Sequence, residues 1–182
     1  MELALNEDQE MIAQTARDFV DEHSPVSRFR ELRDSGEKLS YSAKLFREMA
    51  GLGWTGILFD EKQGGAGMGF SEMVLIAEAL GRNLAPEPFV GGVTMGGSAL
   101  SLGENTGLLD AWLPSVIDGS KVVAFAHQEA RSRYDLYKIE TVAEASGESF
   151  RLSGEKVQVL DCVGADAIIV PARTAGTSGE RE

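Results

Sequence analysis

Residues 106–128 read TGLLDAWLPSVIDGSKVVAFAHQ, and the spacing of their apolar positions changes partway along. Up to Gly119 the apolar residues Leu108, Leu109 and Trp112 recur at helical intervals, with a break expected near Pro114 and a last turn closing at Asp118 and Gly119. After Lys121, Val122-Val123-Ala124-Phe125-Ala126 is a short, partly β-branched apolar run of strand length. The change predicts a boundary near residue 120, with a helical unit over 1–120 and a β unit over 121–182. The expected class is α+β: an all-α bundle domain followed by an incomplete antiparallel β-barrel or sandwich.

Upstream, Asn6 is placed to cap a first helix and Gln9 to reach back to it, with Ile12, Ala16, Phe19 and Val20 on one face and Pro25 at its end. Residues 26–39 are polar and charged and read as a solvated connection. A second helix follows Ser40, turning Leu45, Phe46 and Met49 inward and closing at Gly51 or Gly53. The stretch 51–70, GLGWTGILFDEKQGGAGMGF, has no helical phase and reads as an irregular crossing loop. Ser71 is expected to cap a helix carrying Met73, Val74, Ile76, Ala77 and Leu80 and stopped by Gly81. Residues 89–103, FVGGVTMGGSALSLG, are small or apolar with no charge, which suits a buried central helix.

Downstream, five short runs read as strands: 122–128, 137–145, 149–154, 156–161 and 167–173, with Ser-Gly-Glu turns at 146–148 and 153–155. They predict an antiparallel meander. Five short strands begin a sheet without closing it, and 174–182 is a polar tail, so the chain reads as cut within its β unit.

Composition narrows the functional classes. Of 182 residues 43% are hydrophobic and 25% charged, ordinary globular usage, with no apolar run of spanning length. The net charge of -12 disfavours a nucleic-acid partner. It is unevenly spread, net -10 over 1–120 and -2 over 121–182, so an anionic ligand favours the second part. The single cysteine, Cys162, and the two histidines, His23 and His127, show no metal-ligand spacing and no triad pattern. The first ten residues lack the basic and apolar regions of a signal peptide, and a reducing, cytoplasmic setting is expected.

Three features invite chemistry. The glycines at 64, 65, 67 and 69 precede a helix, but no strand leads into them and the dinucleotide spacing is absent, which favours a structural loop. His127 either lines a ligand site or fills a core or surface role. The segment Gln128-Glu129-Ala130-Arg131-Ser132-Arg133-Tyr134-Asp135 gathers hydrogen-bonding groups, two arginines and an aromatic where a strand leaves the sheet. It is open between an anchor for phosphates through Arg131 and Arg133 and a solvated loop with surface ion pairs.

These residues resemble the acyl-CoA dehydrogenase family along essentially the whole chain. The family's helical domain carries GLG-x-x-G-I…GG-x-G-x-x-x-x-E, matched by Gly51-Leu52-Gly53, Gly56-Ile57, Gly64-Gly65, Gly67 and the helix from Ser71. Its flavin strand reads T-E-P-x-x-G-S-D where this chain has 128–135. A second element, N-G-x-K-x-W-[IV]-[ST], is matched in frame by Ser153-Gly154-Glu155-Lys156-Val157-Gln158-Val159-Leu160. Gln158 stands in place of the usual aromatic, Leu160 in place of the hydroxyl residue and Gln128 in place of the usual Thr. The variant is similar to the small-subunit type of dicarboxylyl, pimeloyl-like acyl-CoA dehydrogenases.

The resemblance implies FAD, an acyl-CoA thioester of fatty-acid metabolism, removal of the α-proton by a glutamate and hydride transfer from the β-carbon to the flavin. It places Phe125, His127, Gln128, Glu129, Tyr134, Gln158, Val159 and Leu160 on the cofactor, and Arg131, Arg133 and Tyr134 on the substrate. The glutamate base belongs to the family's C-terminal helical domain, so no catalytic residue is expected here and the chain alone is expected to be inactive. Electron-transfer flavoprotein and further subunits, identical or different, are the implied partners. A degenerate, non-catalytic partner subunit and a related flavin oxidase or monooxygenase are the alternative readings.

Overall fold

The computed structural model describes residues 4–180. The ends of the stretches read above, 1–3 and 181–182, lie outside the described residues. The expected mixed α+β order is found: helices first, then a partial sheet region.

Helix α1 (Glu7–His23) starts as its sequence predicts: Gln9 N donates to Asn6 Oδ1 at 2.8 Å and Asn6 N to Gln9 Oε1 at 3.2 Å. Helix α2 (Val26–Ser35) occupies the stretch expected to be a solvated connection. Pro25 supplies its entry and Gly36, left-handed at φ 70°, its exit. It buries no residue fully, although Val26, Phe29 and Leu32 recur every three residues and are half-buried. Helix α3 (Ala43–Gly51) is capped by Ser42 and buries Leu45, Phe46 and Met49 as expected.

The crossing loop contains two 3-10 turns, Trp54–Gly56 and Glu61–Gln63. Its glycines serve the loop itself. Ala66 N donates to Gly56 O and Gly67 N to Phe59 O, and a Cβ on Gly65 would fall 2.1 Å from Phe59 O. Helix α4 (Phe70–Arg82) begins before Ser71, with Gly69 at the cap position and Glu72 accepting from Gly69 N at 2.9 Å. The same carboxylate accepts from Gln9 Nε2 at 2.8 Å, which ties α1 to α4.

The uncharged stretch is helical, but its first part, Phe89–Gly97, is a π-helix that passes into the short α5 (Ser98–Ser101), and it is buried only in part, with Val90 and Leu102 exposed. Gly96 lies flush on the first strand, where a Cβ would fall 1.6 Å from Val123 O. Helix α6 (Thr106–Ile117) runs through Pro114 without the expected break. Leu113 and Val116 are both 1% exposed, so tertiary burial on either side of the proline holds the helix together.

The β region departs from an antiparallel meander. Strand β1 (Val123–Phe125) pairs in parallel with β4 (Ala167–Ile169), whereas β2 (Val142–Ser146) and β3 (Ser149–Ser153) form an antiparallel hairpin across Gly147. Alternation identifies a strand and leaves its partner undetermined. The run 156–161 is not a strand, because Gln158 and Asp161 are left-handed (φ 52° and 57°) and interrupt any extended ladder. One hydrophobic core joins both parts, running from Ala16, Val20, Phe46 and Ile76 through Phe89, Val93 and Leu113 to Val122 and Val123.

Candidate functional site

β1 leads outward through Phe125 and His127, whose rings stack at 5.6 Å between centroids. Beyond them the chain turns tightly. Ser132 Oγ accepts from Glu129 N and donates to Glu129 O, both at 3.0 Å, and Ser132 is buried. The turn throws Arg131, Arg133 and Tyr134 outward. Tyr134 is wholly exposed, Arg133 is left-handed at φ 48°, and neither arginine makes an ion pair among the described residues.

Glu129 points the other way. Its carboxylate accepts from Glu140 N at 2.6 Å, Thr141 N at 3.0 Å, Thr141 Oγ1 at 2.6 Å and Lys156 Nζ at 2.7 Å. Burial alone would raise its pKa, but Lys156, Thr141 and the two main-chain donors outweigh that and hold it at about 2. Four donors use up a carboxylate's acceptor capacity. The Glu129 side chain is thus committed inside the protein. Lys156, which the site reading left out, is its buried counter-charge; the lysine of the G-x-K frame was the signal that pointed to it.

This anchor gathers the two predicted stretches. Val157 N donates to Gln128 O at 2.9 Å, laying 156–160 beside the exit of β1. Gly154 permits the approach, since a Cβ there would fall 2.5 Å from Thr141 Oγ1. Gln158 and Leu160 are exposed and Val159 is half-buried. Among the described residues the main-chain N–H groups of Gln158, Val159 and Leu160 donate no hydrogen bond. Three consecutive free main-chain donors suit a flat heteroaromatic group with an acceptor-rich edge, and FAD's isoalloxazine is such a group. These residues fit it.

Leu160 and Asp161 meet Leu80, Phe89 and Val90 around a cavity of about 240 Å³ between the helices and the 158–161 stretch. Nearby, Glu87 is buried and accepts from both terminal nitrogens of Arg28 and from Ser42 N, joining α2, the cap of α3 and the 83–88 connection. Sequence reading missed this group; an acid between two prolines was its one local sign. No cluster of metal-ligating side chains occurs among the described residues, and no helix of those residues is long and apolar enough to cross a membrane.

A helical unit shares one hydrophobic core with the short β segment that follows it. Residues 6–120 match the family model described as acyl-CoA dehydrogenase, N-terminal domain, and the chain belongs to this family. It is 27% identical to the mitochondrial isovaleryl-CoA dehydrogenase of Bos taurus, over 96% of this chain and 41% of that protein. It is similar to the ChsE4-ChsE5 complex from Mycobacterium tuberculosis (TM-score 0.81, 26% identity, 94% of this chain and 45% of that one). An acyl-CoA dehydrogenase complexed with FAD from Bacillus anthracis is also similar (TM-score 0.76, 28% identity, 93% of this chain and 29% of that one). The chain spans less than half the length of each.

Proposed function

We propose that this chain supplies the helical wall and the flavin-edge segment of an FAD-dependent acyl-CoA dehydrogenase, with 1–120 as the helical domain and 121–182 as part of the β domain. The observation that carries this reading is the joining of 125–128 to 156–160 by Val157 and by the Glu129–Lys156 pair, beside three main-chain donors that make no hydrogen bond among the described residues. FAD bound there would accept the hydride of an α,β-dehydrogenation. The chain's own contribution is to bind and orient. Gln158, Val159 and Leu160 offer main-chain N–H groups that do not depend on side-chain identity, and Phe125 and His127 contribute their stacked rings. Arg131 and Arg133, exposed and without carboxylate partners, pair with phosphates of FAD or coenzyme A. Tyr134 lies on the same outward turn.

Removal of the α-proton is assigned to no residue of this chain, and the chain alone is inactive in this reading. The protein works in the cytoplasm, passes electrons to electron-transfer flavoprotein and assembles with further subunits. Titration with FAD tests the reading, alone and with candidate partner chains: a flavin absorbance that bleaches with acyl-CoA supports it. Absence of bound flavin in every form sinks it.

A second reading, a non-catalytic partner subunit, is favoured by Gln158, exposed where the family has an aromatic, and by Leu160 in place of a hydroxyl. The similarity to the ChsE4-ChsE5 complex supports it. One flavin per two chains in a mixed assembly distinguishes it from one flavin per chain.

A further inference from the structure

Asp161 reaches from the β segment across to the helical unit. It stands directly after Leu160 in the left-handed conformation, and its Oδ2 accepts from Gly92 N at 3.1 Å. The opening N–H groups of a helix have no partner within it, so a carboxylate at this place satisfies donors and meets the positive end of the helix dipole. Here the helix is the π-helix Phe89–Gly97, and the residue that caps it is 69 positions away from Gly92. Gly91 is part of the fit. A Cβ on it would fall 2.4 Å from Asp161 Oδ2 and 2.8 Å from Leu160 Cβ.

The 156–160 stretch has its own anchors in Val157 N to Gln128 O and in the Lys156–Glu129 pair. The contact at Asp161 therefore fixes the helix relative to that stretch, and both border the cavity lined by Leu160, Phe89 and Val90. We propose that Asp161 is a positioning residue that holds the Phe89–Gly97 helix at a set distance from the 158–160 segment and so fixes the width of the cleft that receives the acyl group. The role in the cleft rests on the acyl-CoA dehydrogenase reading above.

Amide exchange on the whole chain reads the clasp directly. D161A raises exchange at Gly92 at least tenfold and leaves α3 unchanged, while D161N, whose side-chain carbonyl still accepts, exchanges within about twofold of the parent. G91A disturbs the same clasp with Asp161 left in the sequence, against the usual preference of helices for alanine over glycine. In whichever assembly holds flavin, D161A weakens a non-oxidisable acyl-CoA thioether about tenfold and changes FAD affinity by less than twofold, and D161N restores the thioether affinity. Unchanged exchange at Gly92 in both D161A and G91A overturns the clasp. Raised exchange with unchanged thioether affinity overturns its role in the cleft. If no form of the wild-type protein takes up FAD, the proposed function and the cleft role fall together, and the exchange measurement still decides the clasp.

Discussion

The helices up to Ile117 and the segment from Lys121 onward hold their shapes by different means. Among the largest fully buried side chains, Val20, Phe46, Met49, Phe59, Ile76, Phe89, Val93, Leu113 and Val116 belong to the helical part, and only Val123 to the β segment. The β2–β3 hairpin buries nothing: Phe150 and Leu152 are both more than half exposed. Polar pins replace the missing core. Glu129 gathers three stretches, Asp166 accepts from Val122 N at 2.9 Å, and Arg173 donates to Ile139 O at 2.6 Å. Where apolar area is short, order comes from directional bonds placed at chosen points, which also leaves a surface free to bind.

Mutations can break this contrast. Phe46→Ala, in the helical core, is expected to cost about 4 kcal/mol of unfolding free energy, the loss for a buried aromatic with its cavity. Chemical denaturation of the whole chain measures it, and a loss under about 1 kcal/mol contradicts a core centred there. Lys156→Met strands the Glu129 carboxylate and is expected to cost about 3 kcal/mol. Its loosening is confined to 128–141 and 154–160, which proteolysis followed by mass spectrometry locates; cleavage spread evenly over the helices argues against a local pin.

Acid sharpens the comparison further. Glu129 has its pKa lowered from 4.5 to about 2, so its contribution is complete above about pH 4.5 and is lost as pH falls toward 2. In that window the β segment loosens more in the parent than in Glu129→Gln, as amide exchange of 140–141 and 156–157 reports; equal slopes in the two proteins contradict the assignment. Smallest of all is Arg151→Ala. Its partner Glu144 lies across the exposed hairpin, and a solvated pair of this kind is worth under about 0.5 kcal/mol, within the error of a thermal melt.

Local signals were readable and distant ones were not. The capping box of α1 and the inward faces of α1 and α3 depend on residues three or four apart, and the structure has them where the sequence places them. In α4, by contrast, Met73, Ile76 and Leu80 turn inward and Val74 does not. Helix α2 escaped notice because it buries no residue fully and is tied down by Arg28 reaching Glu87. The parallel partner of β1 lies far along the chain, and no local pattern names it. Gln158 and Asp161 adopt positive φ without being glycine or asparagine, so the bend that ends the expected strand has no sequence mark. The motif frames did bring 128–135 and 153–160 to attention, and these stretches are neighbours in space. Frames do not reveal which way a side chain faces, and Glu129 faces inward.

The flush seating of Gly96 against Val123 bears on how the protein is made. As the chain emerges during synthesis, the helices are finished by Ile117, yet the face that includes Gly92 and Gly96 stays bare until β1 arrives. β1 in turn lacks its neighbour until residue 167 has been added. The seat is therefore bare only while the few residues between Ile117 and β1 are added, but the open edge of β1 waits through about forty more, a period in which a chaperone or a premature partner could pair with it.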